Sequence, residues 1–91
     1  MRHTYRYRLP WGETLWINAD LAEASAPIVV RGEDEDIPTG LQTADVRHSE
    51  REMLRAVLQW CGPAGYRADG DDRDDGEILD EIVDYVLGEA N

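Results

Sequence analysis

Residues 3–18, HTYRYRLPWGETLWIN, alternate and then turn. Tyr5, Tyr7 and Leu9 fall on one side and Thr4, Arg6 and Arg8 on the other, the period of two that a half-buried strand requires. The tyrosine side reads as the inward one. Pro10-Trp11-Gly12-Glu13 supplies turn residues, and Thr14-Leu15-Trp16-Ile17-Asn18 is rich in β-formers. Together they predict an antiparallel hairpin with a four-residue connection.

Downstream of the hairpin, Asn18 or Asp20 is placed to cap a short helix through residues 20–24, ended by the approach of Pro27. Ile28-Val29-Val30 is brief and β-branched and predicts a third strand. The next segment opens with Glu33-Asp34-Glu35-Asp36 and continues through Pro38, Thr39 and Gly40. Four adjacent acids with no apolar residue between them are solvated, so residues 32–48 read as an acidic surface loop. Ser49 and Glu52 then have the spacing of a capping box, and Met53, Leu54, Val57, Leu58 and Cys61 follow at helical spacing until Gly62-Pro63 stops the run. Cys61 reads as a buried, inert thiol on that stripe. A last helix takes Asp75 as its N-cap and Gly88 as its stop, with Ile78, Leu79, Ile82, Val83, Val86 and Leu87 on its apolar side. The expectation is a single α+β domain over residues 1–91. A small antiparallel sheet, the N-terminal hairpin plus a short third strand, packs against two C-terminal helices.

Charge is distributed unevenly along this plan. Residues 1–31 carry four arginines and three carboxylates, a net of +1, whereas residues 32–91 carry five arginines and seventeen carboxylates, a net of −12. The total is −11, and every cation is arginine. The densest stretch is DGDDRDDGEILDEIVD, residues 69–84, with nine carboxylates and one arginine. Its leading acids favour the positive end of the helix dipole. On the helix itself Glu77, Asp80, Glu81 and Asp84 form a stripe at i, i+3, i+4 and i+7 that no cation interrupts. Like charge at that density repels itself and calls for a basic partner or an environmental reason.

Several chemistries are set aside by the residues themselves. If Gly76 is aligned with the required glycine of an EF-hand loop, Asp71 and Asp75 take ligand positions, but Arg73 and Ile82 occupy two others. No metal or other cofactor is expected. His3 and His48 lie in separate elements with no nucleophile motif nearby, so the chain does not read as an enzyme. Arg2, Arg6 and Arg8 interleave with Tyr5 and Tyr7, a composition suited to nucleic acid, but strand alternation sends the two sets to opposite faces and the net charge opposes a polyanion. Direct nucleic-acid binding is therefore not expected. No stretch approaches the roughly 18 apolar residues of a membrane span, and the N-terminal run lacks the apolar core of a secretory signal, so the chain reads as cytoplasmic.

What remains is a surface. Carboxylates on a rigid scaffold occupy arginine and lysine sites that otherwise hold phosphate, with fast and salt-sensitive association. The residues expected to do so are Asp71, Asp72, Asp74, Asp75, Glu77, Asp80, Glu81 and Asp84, with Glu33, Asp34, Glu35 and Asp36 as a second patch. Their partner would be a basic nucleic-acid-binding protein or complex. In size and charge the chain resembles phage-encoded inhibitors of bacterial defence, including anti-CRISPR and anti-restriction proteins, and the likeness implies a DNA mimic acting in the host cytoplasm; the sequence leaves the oligomeric state open, with a monomer slightly favoured. The competing expectation is an antitoxin-like or assembly partner that uses exposed aromatics such as Trp11, with acidity serving solubility or a saline environment.

Overall fold

A computed structural model describes residues 1–61, 70 and 72–89. Four strands, β1 (His3–Arg8), β2 (Thr14–Ala19), β3 (Pro27–Arg31) and β4 (Asp36–Gln42), form an antiparallel meander in the order β1-β2-β3-β4. A 3-10 turn over Thr43–Val46 leads to helix α1 (Glu50–Cys61), and helix α2 (Asp75–Glu89) follows. The α+β class, with the hairpin and third strand set against two C-terminal helices, is as the sequence predicts.

The hairpin pairs Arg6 with Trp16 and Tyr7 with Leu15, which puts Tyr7, Leu15 and Ile17 on the inner face. Its connection is tighter than the four residues expected. Leu9 N–H donates to the Glu13 carbonyl at 2.8 Å and Gly12 N–H to the Leu9 carbonyl at 3.0 Å, so three residues span the turn. Gly12 sits at φ +97, a conformation that a side chain disfavours.

Residues 20–24 are not a helix. Asp20 Oδ1 accepts from the Ala22 amide at 3.1 Å and the Asp20 carbonyl from Glu23, an Asx-type turn followed by a second turn. The segment is pinned instead by tertiary hydrogen bonds, the Ala24 and Ala26 carbonyls accepting from the amides of Ala44 and Thr43. Thr43 is fully buried there, and its hydroxyl donates to the Asp20 carbonyl at 2.8 Å.

The acidic loop expected at residues 32–48 is corrected by β4 and the 3-10 turn. β4 is an edge strand, where Pro38 is tolerated because one side of the ladder has no neighbour. An irregularity opposite Ile28 and Val29 absorbs Thr39 and Gly40, and the Thr39 hydroxyl bridges the gap by donating to the Ile28 carbonyl at 2.6 Å. Only residues 32–35 and 47–48 remain as turns. A Cβ on Gly32 would lie 2.6 Å from the Glu35 carbonyl oxygen, so the turn closes this tightly because residue 32 is glycine.

Both helices lay their apolar stripes on the inner face of the sheet. Met53, Leu54, Val57 and Leu58 of α1 and Ile78, Leu79, Ile82, Val83 and Val86 of α2 join Tyr7, Leu15, Ile17, Ile28 and Val30 in one hydrophobic cluster. Burial of that apolar area is the main favourable term holding the layers together. The helix ends differ in detail from expectation. Ser49 Oγ accepts from the Glu52 amide at 3.3 Å, half of the expected capping box, while the Ser49 amide is taken by the Val46 carbonyl. Asp74, not Asp75, caps α2: its Oδ1 accepts from Glu77 N–H at 2.8 Å. α2 also runs through Gly88 to Glu89. Cys61 is exposed, not buried, because the last turn of α1 extends beyond the cluster that covers Val57 and Leu58. Gly62 and Pro63 lie outside the described residues. No helix among the described residues is long and apolar enough to cross a membrane.

Candidate functional site

The acids separate into three groups. The first is the tip of the β3–β4 turn. Glu33, Asp34 and Glu35 are consecutive, exposed and without an ion pair among the described residues, and the turn is closed by Gly32 N–H donating to the Glu35 carbonyl at 3.1 Å. Asp36, expected as part of the same patch, is engaged elsewhere. It begins β4, where its Oδ2 accepts from Arg2 Nη2 at 3.2 Å and from Asn18 Nδ2 at 3.5 Å.

The second group is the start of α2. Asp74 is occupied as the cap, while Asp72, Asp75 and Glu77 are exposed around it. Asp71 lies outside the described residues. Arg55 reaches this end of the helix, since a Cβ on Gly76 would sit 3.3 Å from its guanidinium and 3.2 Å from Asp74 Oδ1.

The third group is the stripe along α2, and here the structure overturns the expectation of uncompensated charge. Asp80 accepts from Arg55 Nε at 2.8 Å, Asp84 pairs with Arg51 Nη1 at 2.7 Å, and Glu81 pairs with Arg73. The arginines come from α1 and from the residues before α2, so sequence spacing within α2 gives no sign of them. Each pair is solvent-exposed, where such a bridge contributes ~1 kcal/mol or less. They nonetheless reduce what three of the four stripe carboxylates offer a partner.

The outer face of the sheet is chemically different. Cα register sets Arg6 opposite Trp16, and Trp16 in turn precedes Ile17, which pairs with Val30, so Arg31 falls on the far side of the indole. The guanidinium carbons lie 5.8 Å (Arg6) and 5.6 Å (Arg31) from the Trp16 ring centre, within cation–π range. Arg8 is exposed two residues further along β1. None of Arg6, Arg8 and Arg31 makes an ion pair among the described residues, in contrast to Arg2, Arg51, Arg55 and Arg73. Sequence reading placed Arg6 and Arg8 correctly away from the tyrosines but missed Trp16 and Arg31, which only strand register brings beside them.

Two further features lie at the margins. At the β1 edge, the Tyr7 hydroxyl is buried with no partner at hydrogen-bond geometry among the described residues, although the Glu50 carboxylate is close enough to act on it. Burial first, and Glu50 second, push the Tyr7 phenol well above its usual 10.0. Beside α2, Pro10, Trp11, Ile78, Ile82 and Tyr85 line a groove of about 200 Å³ with Arg73 and Glu81 at its rim. Comparison with known proteins finds no matching family model, no matching curated protein and no matching solved structure.

Proposed function

We propose that this protein is a non-enzymatic binder whose acidic tip and helix start occupy a basic surface on another protein, one built to hold nucleic-acid phosphate. The observation that carries the reading is the Glu33-Asp34-Glu35 turn, three carboxylates without an ion pair among the described residues on a tight, sheet-anchored support. A preorganised acidic tip loses little entropy on binding and steers a basic partner at long range. Asp72 and Glu77 extend the charge, while Asp80, Glu81 and Asp84 are secondary because arginines already hold them. The mode of action would be competition with DNA or RNA, as in a phage inhibitor of a defence complex.

Capture from a bacterial lysate at low salt tests this. The unsubstituted protein should retain a nucleic-acid-binding protein that added DNA releases. E33Q/D34N/E35Q should lose it, and D80N/D84N should weaken it less. The groove containing Trp11 and Tyr85 favours a second reading, an assembly or antitoxin-like partner held by apolar contact. A partner that survives neutralisation of the acids but is lost with Trp11→Ser and Tyr85→Ser would replace the first reading with the second.

A further inference from the structure

In a chain with twenty carboxylates, a cation that pairs with none among the described residues is informative. The sheet gathers three of them, Arg6, Arg8 and Arg31, on the face turned away from the helices. Two of these flank a single half-buried indole, Trp16. A guanidinium that rests on a ring uses its face and keeps its in-plane N–H fork for an oxyanion. The neighbouring row across the sheet is neutral, with Thr4 donating to Asn18 Oδ1 at 2.7 Å and Val29 set opposite Pro38.

We propose that this outer face binds single-stranded nucleic acid, with phosphates on Arg6, Arg8 and Arg31 and unstacked bases lying against the planes of the arginines that the Trp16 indole supports. Both handles are needed to choose the ligand. Phosphate or carboxylate would satisfy the N–H forks alone, but planar cations and an indole on an open four-stranded sheet are useful to bases that are free to stack. In a duplex those faces are covered. The inference is independent of the acidic-tip reading and concerns the opposite charge.

Among the described residues, four acids border this surface, and one of them, Glu50, shares an open depression at the β1 edge with Arg6 and Arg8. Asp36 is engaged by Arg2 and Asn18. Glu13 accepts from Trp11 Nε1 at 3.2 Å. Glu33 borders the open depression lined by Thr14, Trp16, Arg31 and Gly32, and so limits one end of the track. The α2 acids lie beyond a helix about 10 Å thick, which is about one Debye length at 0.1 M salt. Their repulsion is therefore weakened, though not abolished, at this face.

Fluorescence anisotropy of labelled dT15 and U15 at 50 mM NaCl tests the assignment. Saturable binding is expected, with a log K against log salt slope of about −2, from roughly 0.7 for each of three phosphates. Arg6→Gln, Arg8→Gln and Arg31→Gln should each flatten the slope by ~0.7. Trp16→Leu should lower affinity about fivefold or more while thermal melting confirms a folded chain. Should Trp16→Leu fail to fold, Arg8→Gln, whose side chain is exposed and stacks on no ring, keeps the test intact. E33Q/D34N/E35Q should preserve or strengthen this binding, which separates it from failure of the acidic-tip reading. Absence of saturable binding, equal binding of a blunt duplex, or displacement by poly-glutamate as readily as by dT15 would overturn the proposal.

Discussion

Replacing Tyr7 by phenylalanine should stabilise this protein, against the usual direction of core substitutions. The ring is 6% exposed and stacks on Tyr5 with centroids 6.3 Å apart and planes 8° from parallel, contacts that phenylalanine retains. What the substitution removes is a hydroxyl that is shut off from solvent and, among the described residues, has no partner at hydrogen-bond geometry, with the Glu50 carboxylate nearby. A buried donor in that position costs about 1–3 kcal/mol. The void left by one oxygen, on the order of 10–15 Å³, returns about 0.3 kcal/mol of that. The net expectation is a gain of about 1 kcal/mol, read as a higher urea midpoint at unchanged m-value and a melting temperature raised by about 4–8 °C. The same variant has a pH signature. Because the Tyr7 pKa is raised in the folded state, its contribution to stability is complete below the ordinary value of 10.0 and is lost as pH rises above it. Tyr7→Phe should therefore flatten the alkaline fall in stability. A loss of ~0.5 kcal/mol or more, with coupling to Glu50→Gln in a double-mutant cycle, would show that Glu50 accepts from the hydroxyl and refute the reasoning.

Three other outcomes follow from packing and pairing. Leu79→Ala, at a fully buried position where α2 meets the sheet, should cost about 2–4 kcal/mol by chemical denaturation, a large part of the stability of a domain this size. Thr43→Val keeps the shape but leaves the Asp20 carbonyl without its 2.8 Å donor, and should cost about 1–2 kcal/mol in the same assay. Arg55→Gln should cost ~1 kcal/mol or less, falling further with added salt, because the Arg55–Asp80 pair is exposed; a larger, salt-insensitive loss would mean the pair is structural.

Sequence made the hairpin legible because its two strands alternate in the period of the sheet, and it made both helices legible because their apolar residues recur at 3.6. β4 was hidden for a physical reason. Asp36, Ile37 and Pro38 are exposed, and Pro38 and Gly40 carry turn chemistry, so nothing in the segment shows that β3 will hold it as an edge strand. The α2 cap was ambiguous because adjacent aspartates, Asp74 and Asp75, are equally good caps and only the backbone chooses. The candidate site was legible as composition but not as pairing. Arg51 and Arg55 read as members of a mixed helix face, whereas the packing of α1 beside α2 turns them onto Asp84 and Asp80. That shift moves the available negative charge from the helix stripe to the β3–β4 tip. Trp16 between Arg6 and Arg31 is likewise a product of register, since the three residues come from three strands.

Competition on the captured partner is the most direct test of the acidic-tip account. A fluorescent DNA duplex bound to that partner should be displaced at one-to-one stoichiometry by the unsubstituted protein, and E33Q/D34N/E35Q should fail to displace it. A ternary complex of DNA, partner and this protein, or undiminished displacement by the neutralised variant, would contradict the claim that the tip stands in for phosphate.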